Sequence, residues 1–400
     1  MSRKITWAIV GGGNGGQSMA GHLAIMGFPV RFYDIIPETV QTINELGGIK
    51  VDGVVEGFGK LAFATTDIGR ALAGADVIVV VAPSLAHGVI ASACSRHLSD
   101  NQVVILHPGA TCGALEFRKV LNDTGCRAKI PIAETNSLIY ACRSPSPGYA
   151  SILGIKKDLV VATLPAQRND RALSCLREAF PQINGGQNVM ETSIGNANAI
   201  MHPAPSIFNT SLIESRHEWL YYLEGITPTI GAFVEELDKE RIALAKTFGI
   251  DMPPILEWYR KAYGVDAASL SEAARRNPAY AKISGQKNLR TRYLLEDIPT
   301  GLVPMISLGK MQGVDTSRME LIARLGGYLL GEDFFACGRT LENLGLAGLT
   351  ADEFVRYLET GEIVSEKKPA DHRAKATHMG LDVQLTAMTV GGKKTGRNDL

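Results

Sequence analysis

The chain has 400 residues, 41 basic and 41 acidic side chains, a formal net charge of zero and 45% hydrophobic residues. Such a length exceeds one typical core, so two globular domains with a cleft between them are expected. The balanced charge, with no basic run longer than a pair such as Lys367-Lys368, excludes an electrostatic footprint for nucleic acid or an anionic membrane and leaves small molecules as partners.

The opening "MSRKITWAIVGGG" runs straight into a strand-like stretch, without the apolar region and cleavage site of a signal peptide. From residue 4 to about 165, "ITWAIVG", "VRFYDI", "ADVIVVVAP", "QVVILHPG", "KIPIAET" and "DLVVATLPA" read as strands alternating with helical segments. The first intervening helix is "NGGQSMAGHLAIMGF", ending at Gly27. This alternation predicts an α/β Rossmann domain, a doubly wound parallel sheet, over residues 1–185. The run "ADVIVVVAPS" is a buried strand, far short of a membrane span, so a cytoplasmic protein is expected. Beyond residue 185 helical signals dominate, and an all-α domain is expected over 186–364. Its clearest member is "TPTIGAFVEELDKERIALAKTFG", with Thr227 as N-cap, Pro228 at the first position and Gly249 after the last turn. Ile230, Phe233, Val234, Leu237, Leu244 and Phe248 form one stripe, interrupted by Arg241. Segments 190–223, 253–263, 267–275, 315–331 and 350–359 also read as helices. The tail, 365–400, is polar and aperiodic, with at least its last ten residues expected to be disordered. Six scattered cysteines with no Cys-x-x-Cys pair are read as free thiols, and no metal site is expected.

Gly11, Gly13 and Gly16 give the G-x-G-x-x-G spacing after a strand and before a helix, and Asp34 closes the next strand. The first glycine permits a tight turn, the second lets the main chain approach a pyrophosphate, and the third allows strand–helix packing. Asn14 opens the helix whose N-terminal amides would meet the anion. Asp34 would accept from the ribose hydroxyls and repel a 2′-phosphate, so NAD is favoured over NADP; FAD is a rival without a second flavin motif. Ala82, Pro83 and Pro108 follow two later strands and are read as cofactor wall, with His87 and His107 on the same edge.

A nicotinamide enzyme needs a proton donor or acceptor beside the carbon that exchanges hydride. His202, in "NAIMHPAPSIFN", lies at the start of the helical domain, where Pro203 and Pro205 bend or break the chain. It is a candidate, and a histidine satisfied inside a bend explains the same letters. "NLRTRYLLEDIPTGLVP" (288–304) holds Arg290, Arg292, Glu296 and Asp297. A carboxylate can fix a histidine's tautomer and an arginine can bind a substrate carboxylate; a solvated loop with ion pairs reads equally well. Spacing does not bring residue 297 to residue 202.

Together with "GGGNGG", "HPGATCGALEFRK", "ETNSLIYACRS", "YYLEGITPTIGAFVEELDKERIALAK" and "GRTLENLGLAGLT", these stretches resemble the opine dehydrogenases, the octopine/nopaline dehydrogenase group, in its bacterial N-(1-carboxyethyl)-norvaline branch. The resemblance runs in order from residue 5 to about 360. It implies a Rossmann domain joined to a helical domain. It also implies His202 as catalytic acid/base, Asp297 as its partner, and Arg292 holding the carboxylate of a 2-oxo acid. The implied reaction is NAD(P)H-dependent reductive condensation of an amino acid with an oxo acid such as pyruvate. Some members are dimers, so a homodimer through the helical domain is an expectation. Two other readings stay open: a simple 2-oxo or 3-hydroxy acid dehydrogenase on the same plan, and an NAD-binding sensor without turnover.

Overall fold

The computed structural model describes residues 3–363, with the exception of 216. The expectation of disorder in the tail concerns residues outside that range. Twelve strands precede the helical part: β1 (Trp7–Val10), β2 (Val30–Tyr33), β3 (Gly48–Gly53), β4 (Gly57–Lys60), β5 (Phe63–Thr65), β6 (Val77–Val80), β7 (Val103–Leu106), β8 (Ile132–Thr135), β9 (Tyr140–Ser146), β10 (Tyr149–Ile155), β11 (Leu159–Leu164) and β12 (Ile183–Gly185). Between them lie α1 (Asn14–Ile25), α2 (Pro37–Leu46), α3 (Ile68–Leu72), α4 (His87–Cys94), α5 (Gly113–Asp123) and α6 (Asn169–Ala179).

The main sheet has the order β12-β11-β8-β7-β6-β1-β2-β5. From β5 to β8 every neighbouring pair is parallel, in registers such as Ile9↔Phe32, Ile9↔Val79 and Val79↔Ile105. β1, β6, β7 and β8 are buried along their whole length, which is why they read as continuous apolar runs without alternation. β11 departs from the expected parallel sheet, running antiparallel to β8. The reason is the connection: no crossover helix separates β8 from β11, only the hairpin of β9 and β10, and a parallel neighbour requires a crossover.

β3, β4, β9 and β10 form a second sheet, in the order β4-β3-β10-β9, that the sequence reading did not anticipate. Their glycine-rich, weakly alternating stretches, "GGIKVDG" and "GFGK", carry little strand signal. This sheet packs on α1: Gly21 leaves so little room that an added Cβ would lie 2.5 Å from Val51.

Side chains along β1 alternate between two cores. Trp7 and Ile9 join one with Met19, Phe32 and Val51. Ala8 and Val10 join the other, which continues through Val189, Ile200, Val234 and Leu302. The helical part thus extends the core on one face of the sheet.

That part comprises α7 (Val189–Ile194), α8 (Asn198–Met201), α9 (Pro203–Phe208), α10 (Thr210–Glu214), α11 (Tyr221–Gly225), α12 (Pro228–Thr247), α13 (Ile255–Tyr263), α14 (Leu270–Arg276), α15 (Arg292–Leu295), α16 (Val303–Gln312), α17 (Ser317–Leu330), α18 (Phe334–Cys337) and α19 (Ala351–Thr360). The segment read as one helix over 190–223 is five short ones. Pro203 supplies no N–H and Gly195 interrupts, so the chain turns repeatedly. α12 starts as expected, with the Thr227 hydroxyl accepting from the Ile230 amide at 3.3 Å. Arg241, which breaks its apolar stripe, is itself buried: its Nε donates to Asp238 Oδ1 at 2.6 Å and its Nη2 to the Pro253 carbonyl at 2.9 Å. Among the described residues no helix is long and apolar enough to cross a membrane.

Candidate active site

Gly11, Asp34, Ala82 and Pro108 all follow the carboxyl ends of parallel strands, the edge where open α/β sheets bind ligands. Gly11 has φ +116°, and a Cβ there would lie 2.3 Å from the Val81 carbonyl. A Cβ on Gly16 would lie 1.8 Å from the Gly11 carbonyl, so both positions exclude any side chain. At Gly13 a Cβ would meet nothing within 4 Å. Gly13 is also the N-cap of α1 with no side-chain cap, leaving first-turn amides available to an anion. The Asn14 side chain is engaged, accepting from the Ser144 amide at 2.8 Å and so tying the loop to β9.

Asp34 is buried. Its Oδ1 accepts from the Ile36 amide at 2.8 Å and its Oδ2 from the Gly12 amide. Burial raises its pKa above the ordinary carboxylate value, opposed by those amides. Each oxygen keeps a further lone pair, so ribose hydroxyls remain within its bonding capacity. These residues fit a dinucleotide: a glycine cradle, open helix amides, and a buried carboxylate at the end of β2.

Ala82 and Pro108 are half-buried and Pro83 is exposed on this edge. The two histidines beside them are neither solvated nor open to a ligand. His107 Nε2 accepts from the Ile139 amide at 3.1 Å, so its Nδ1 carries the proton and donates to Thr135 Oγ1 at 2.8 Å. Burial, with the Lys156 charge adding to it, lowers its pKa to about 3. His87 Nδ1 accepts from Arg339 at 3.1 Å, and burial, then the arginine's charge, drives its pKa well below the usual value. Both are neutral packing groups.

His202 lies at the break between α8 and α9, with φ −107° and ψ −50°. Pro203 has no N–H to donate to the α8 ladder, so the imidazole projects from a fixed corner. Its Nδ1 is 2.7 Å from Asp297 Oδ2, and the side chains are only 10% and 5% exposed. The ring stacks on Tyr293 at 3.9 Å with 6° between planes, and meets the edge of Tyr221 at 6.3 Å. The Tyr221 hydroxyl donates to the His202 carbonyl at 3.0 Å. Orientation is therefore set on three sides, and Nε2 makes no hydrogen bond among the described residues.

The partner groups come from one short segment. Tyr293 and Asp297 are four residues apart, as are Arg292 and Glu296, so each pair shares a helical face. Pro299 lacks an N–H, and the chain widens into a π-helical turn, Ile298–Leu302, with the Asp297 amide donating to the Arg292 carbonyl at 3.1 Å. Arg292 is 63% exposed, its Nε 3.3 Å from Glu296 Oε2. Arg290 turns away, to the Leu330 carbonyl at 3.0 Å and to Glu332.

The sequence reading missed the groups that hold the nucleotide edge to the helical part. Arg339 is 2% exposed. Its Nη1 donates to the carbonyls of Gly109 (3.1 Å) and Thr111 (2.8 Å), its Nη2 to Ser84 (2.9 Å), and it pairs with Glu116 at 2.8 Å. Buried Glu134 accepts from the Ala114 amide at 2.8 Å and from the hydroxyls of Thr192 (2.8 Å) and Ser193 (2.6 Å); burial raises its pKa. The loop so held contains Ala110 (φ 54°) and Cys112 (φ 61°), two non-glycine residues in a costly left-handed conformation. "GRT" and "ETN" marked these residues only as polar letters in apolar company.

Comparison with known proteins agrees with this architecture. Residues 185–330 match the family described as NAD/NADP octopine/nopaline dehydrogenase, alpha-helical domain. Residues 6–111 match that described as NAD-dependent glycerol-3-phosphate dehydrogenase N-terminus. An opine dehydrogenase of Arthrobacter sp. (strain 1C) is 43% identical over 347 residues, covering 86% of this chain and 96% of that protein. Protein ocs of Agrobacterium tumefaciens (strain Ach5) is 26% identical, over 88% and 98% of the two chains. A solved octopine dehydrogenase with NADH and L-arginine has the same fold, with a TM-score of 0.75, 19% identity, and coverage of 91% of this chain and all of that one (100%). Fold and cradle together define an NAD-dependent oxidoreductase with a Rossmann domain and a helical domain. The chain belongs to the opine dehydrogenase family.

Proposed function

We propose that this enzyme condenses an L-amino acid with a 2-oxo acid such as pyruvate and reduces the resulting imine to an N-(carboxyalkyl) amino acid, reversibly. The observation that carries the reading is the buried His202–Asp297 pair, 2.7 Å apart, one helical turn from the exposed guanidinium of Arg292. NADH, when bound on the glycine cradle, supplies the hydride. Asp297 accepts a hydrogen bond from Nδ1–H of His202, which fixes the tautomer and leaves Nε2 to hold or release a proton. Nε2–H protonates the hydroxyl of the carbinolamine, which leaves as water as the C=N bond forms. Arg292 holds the oxo-acid carboxylate through parallel hydrogen bonds and so orients the carbon that is reduced.

Asp34 supports NAD over NADP, since a 2′-phosphate would face its carboxylate. The chain divides at residue 185 into the dinucleotide-binding part and the substrate part ending near 364. Six unpaired cysteines accord with a reducing, cytoplasmic location. Exposed Leu321, Tyr328 and Leu329 on α17 suit a homodimer through the helical domain.

The test is an NADH oxidation assay with pyruvate, with and without a panel of L-amino acids. Turnover that depends on the amine supports the reading. Equal turnover with pyruvate alone would replace it with a simple 2-oxo acid dehydrogenase.

A further inference from the structure

Glu296 has no part in the chemistry above, yet its carboxylate lies where the cofactor wall, the substrate arginine and the catalytic segment meet. The side chain is 9% exposed. Oε1 accepts from both the amide of Ser84, at 2.8 Å, and its hydroxyl, at 2.9 Å. Oε2 faces Arg292 Nε at 3.3 Å. Ser84 follows Ala82 and Pro83 directly on the loop leaving β6, and its hydroxyl lies 2.7 Å from that of Thr300, whose own carbonyl accepts from the Thr111 amide at 3.0 Å on the loop leaving β7. One carboxylate therefore spans from the nucleotide edge to the arginine, while its chain neighbour Asp297 spans to His202.

We infer that Glu296 is a positioning residue that fixes Arg292 through Nε, presents the two Nη groups to the carboxylate of the 2-oxo acid, and references that arginine to the cofactor wall through Ser84. The argument is one of preorganisation. An arginine 63% exposed samples many rotamers, and a substrate that must select one loses affinity for it. With the Nε edge paired to that carboxylate at 3.3 Å, the Nη groups form the planar fork that matches a substrate carboxylate. Because Ser84 satisfies Oε1 with two donors, the carboxylate cannot swing out to compete with the substrate for both arms of that fork. The same residue then ties oxo-acid binding to the position of the loop that walls the cofactor.

This inference rests on the reading that Arg292 binds the oxo-acid carboxylate, and the experiment separates the two. Glu296→Gln keeps an oxygen for Ser84 but turns an NH2 toward Arg292 Nε, setting donor against donor. Steady-state NADH oxidation is measured with pyruvate varied at saturating NADH and amino acid, for Glu296→Gln, Arg292→Leu and the double variant, with NADH affinity measured by fluorescence. Glu296→Gln should raise the pyruvate KM about fivefold, the upper end for an ion pair with one exposed partner, with NADH affinity within about twofold of wild type. The effect should vanish in the Arg292→Leu background. Glu296→Asp, which keeps the charge but withdraws it by one methylene, should give a smaller rise; it replaces Gln in the cycle if the Gln variant fails to fold. If Arg292→Leu leaves the pyruvate KM unchanged, the substrate-arginine reading fails and takes this inference with it. If Arg292→Leu raises KM but the Glu296 variants do not, or if their effects multiply in full in the double variant, the positioning role alone is overturned.

Discussion

Replacing Asp297 with Asn tests the proton-handling pair most directly. The contact is 2.7 Å long between side chains 10% and 5% exposed, so solvent screens it little. With charge centres ~4 Å apart and an effective dielectric of ~20, the carboxylate stabilises an imidazolium by up to about 4 kcal/mol. An Asn oxygen still accepts from Nδ1–H, and a neutral hydrogen bond restores about 1 kcal/mol of that. The net loss is about 2–3 kcal/mol, or a fall in kcat of roughly 30- to 150-fold when the step needs His202 charged. The amide is nearly the same size, so folding and the glycine cradle stay intact. NADH oxidation with saturating pyruvate and amino acid gives kcat, fluorescence titration gives NADH affinity, and a melting curve checks the fold. A kcat within about threefold of wild type, well below the scale of a charge-assisted hydrogen bond, would refute the pairing. A parallel collapse of NADH affinity would show instead that Asp297 supports the nucleotide site.

Three further outcomes follow from the same contacts. Arg339→Leu removes a guanidinium that serves Ser84, Gly109, Thr111 and Glu116, and by the usual cost of breaking a buried pair it should destabilise the fold by about 3–5 kcal/mol in denaturant titration; a loss under 1 kcal/mol would mean the clamp is not maintained in solution. His107, with its pKa lowered from 6.5 to about 3, stays neutral in the folded chain while the unfolded chain takes up a proton. Stability should therefore fall as pH drops from 6.5 towards 3, by up to about 1.4 kcal/mol per pH unit from this group, and be complete above 6.5. The slope should lessen in His107→Gln, and an unchanged slope in that variant would remove the attribution. Asp34→Ala should lower the preference for NADH over NADPH, read as the ratio of kcat/KM for the two; an unaltered ratio would show that Asp34 does not face the ribose.

Local chemistry made much of this protein legible in its sequence. The glycines at 11 and 16 announce themselves because only glycine tolerates the Gly11 backbone and the 1.8 Å approach at Gly16. The parallel strands are visible because burial on both faces demands continuous apolar runs, and the start of α12 because Thr227 and Pro228 are local signals. The break at His202 is likewise written in Pro203. Other features depend on residues far apart. β11 runs against β8 because a hairpin replaces a helix, and the second sheet forms from weak strands that need α1 beneath them. His87 and His107 look like open loop histidines until the fold is seen to bury both, with Arg339 against Nδ1 of His87 and Thr135 and Ile139 on the two nitrogens of His107. Letters alone left His202 equally a packed corner and a proton carrier. The tertiary structure adds the contacts that letters do not carry: a π turn swings Asp297 across 95 residues of chain to Nδ1 and lays Tyr293 against the ring. Sequence patterns specify what each segment can become by itself; only the folded chain brings together charges, carbonyls and rings whose interaction depends on a few ångströms of distance and on exclusion of water.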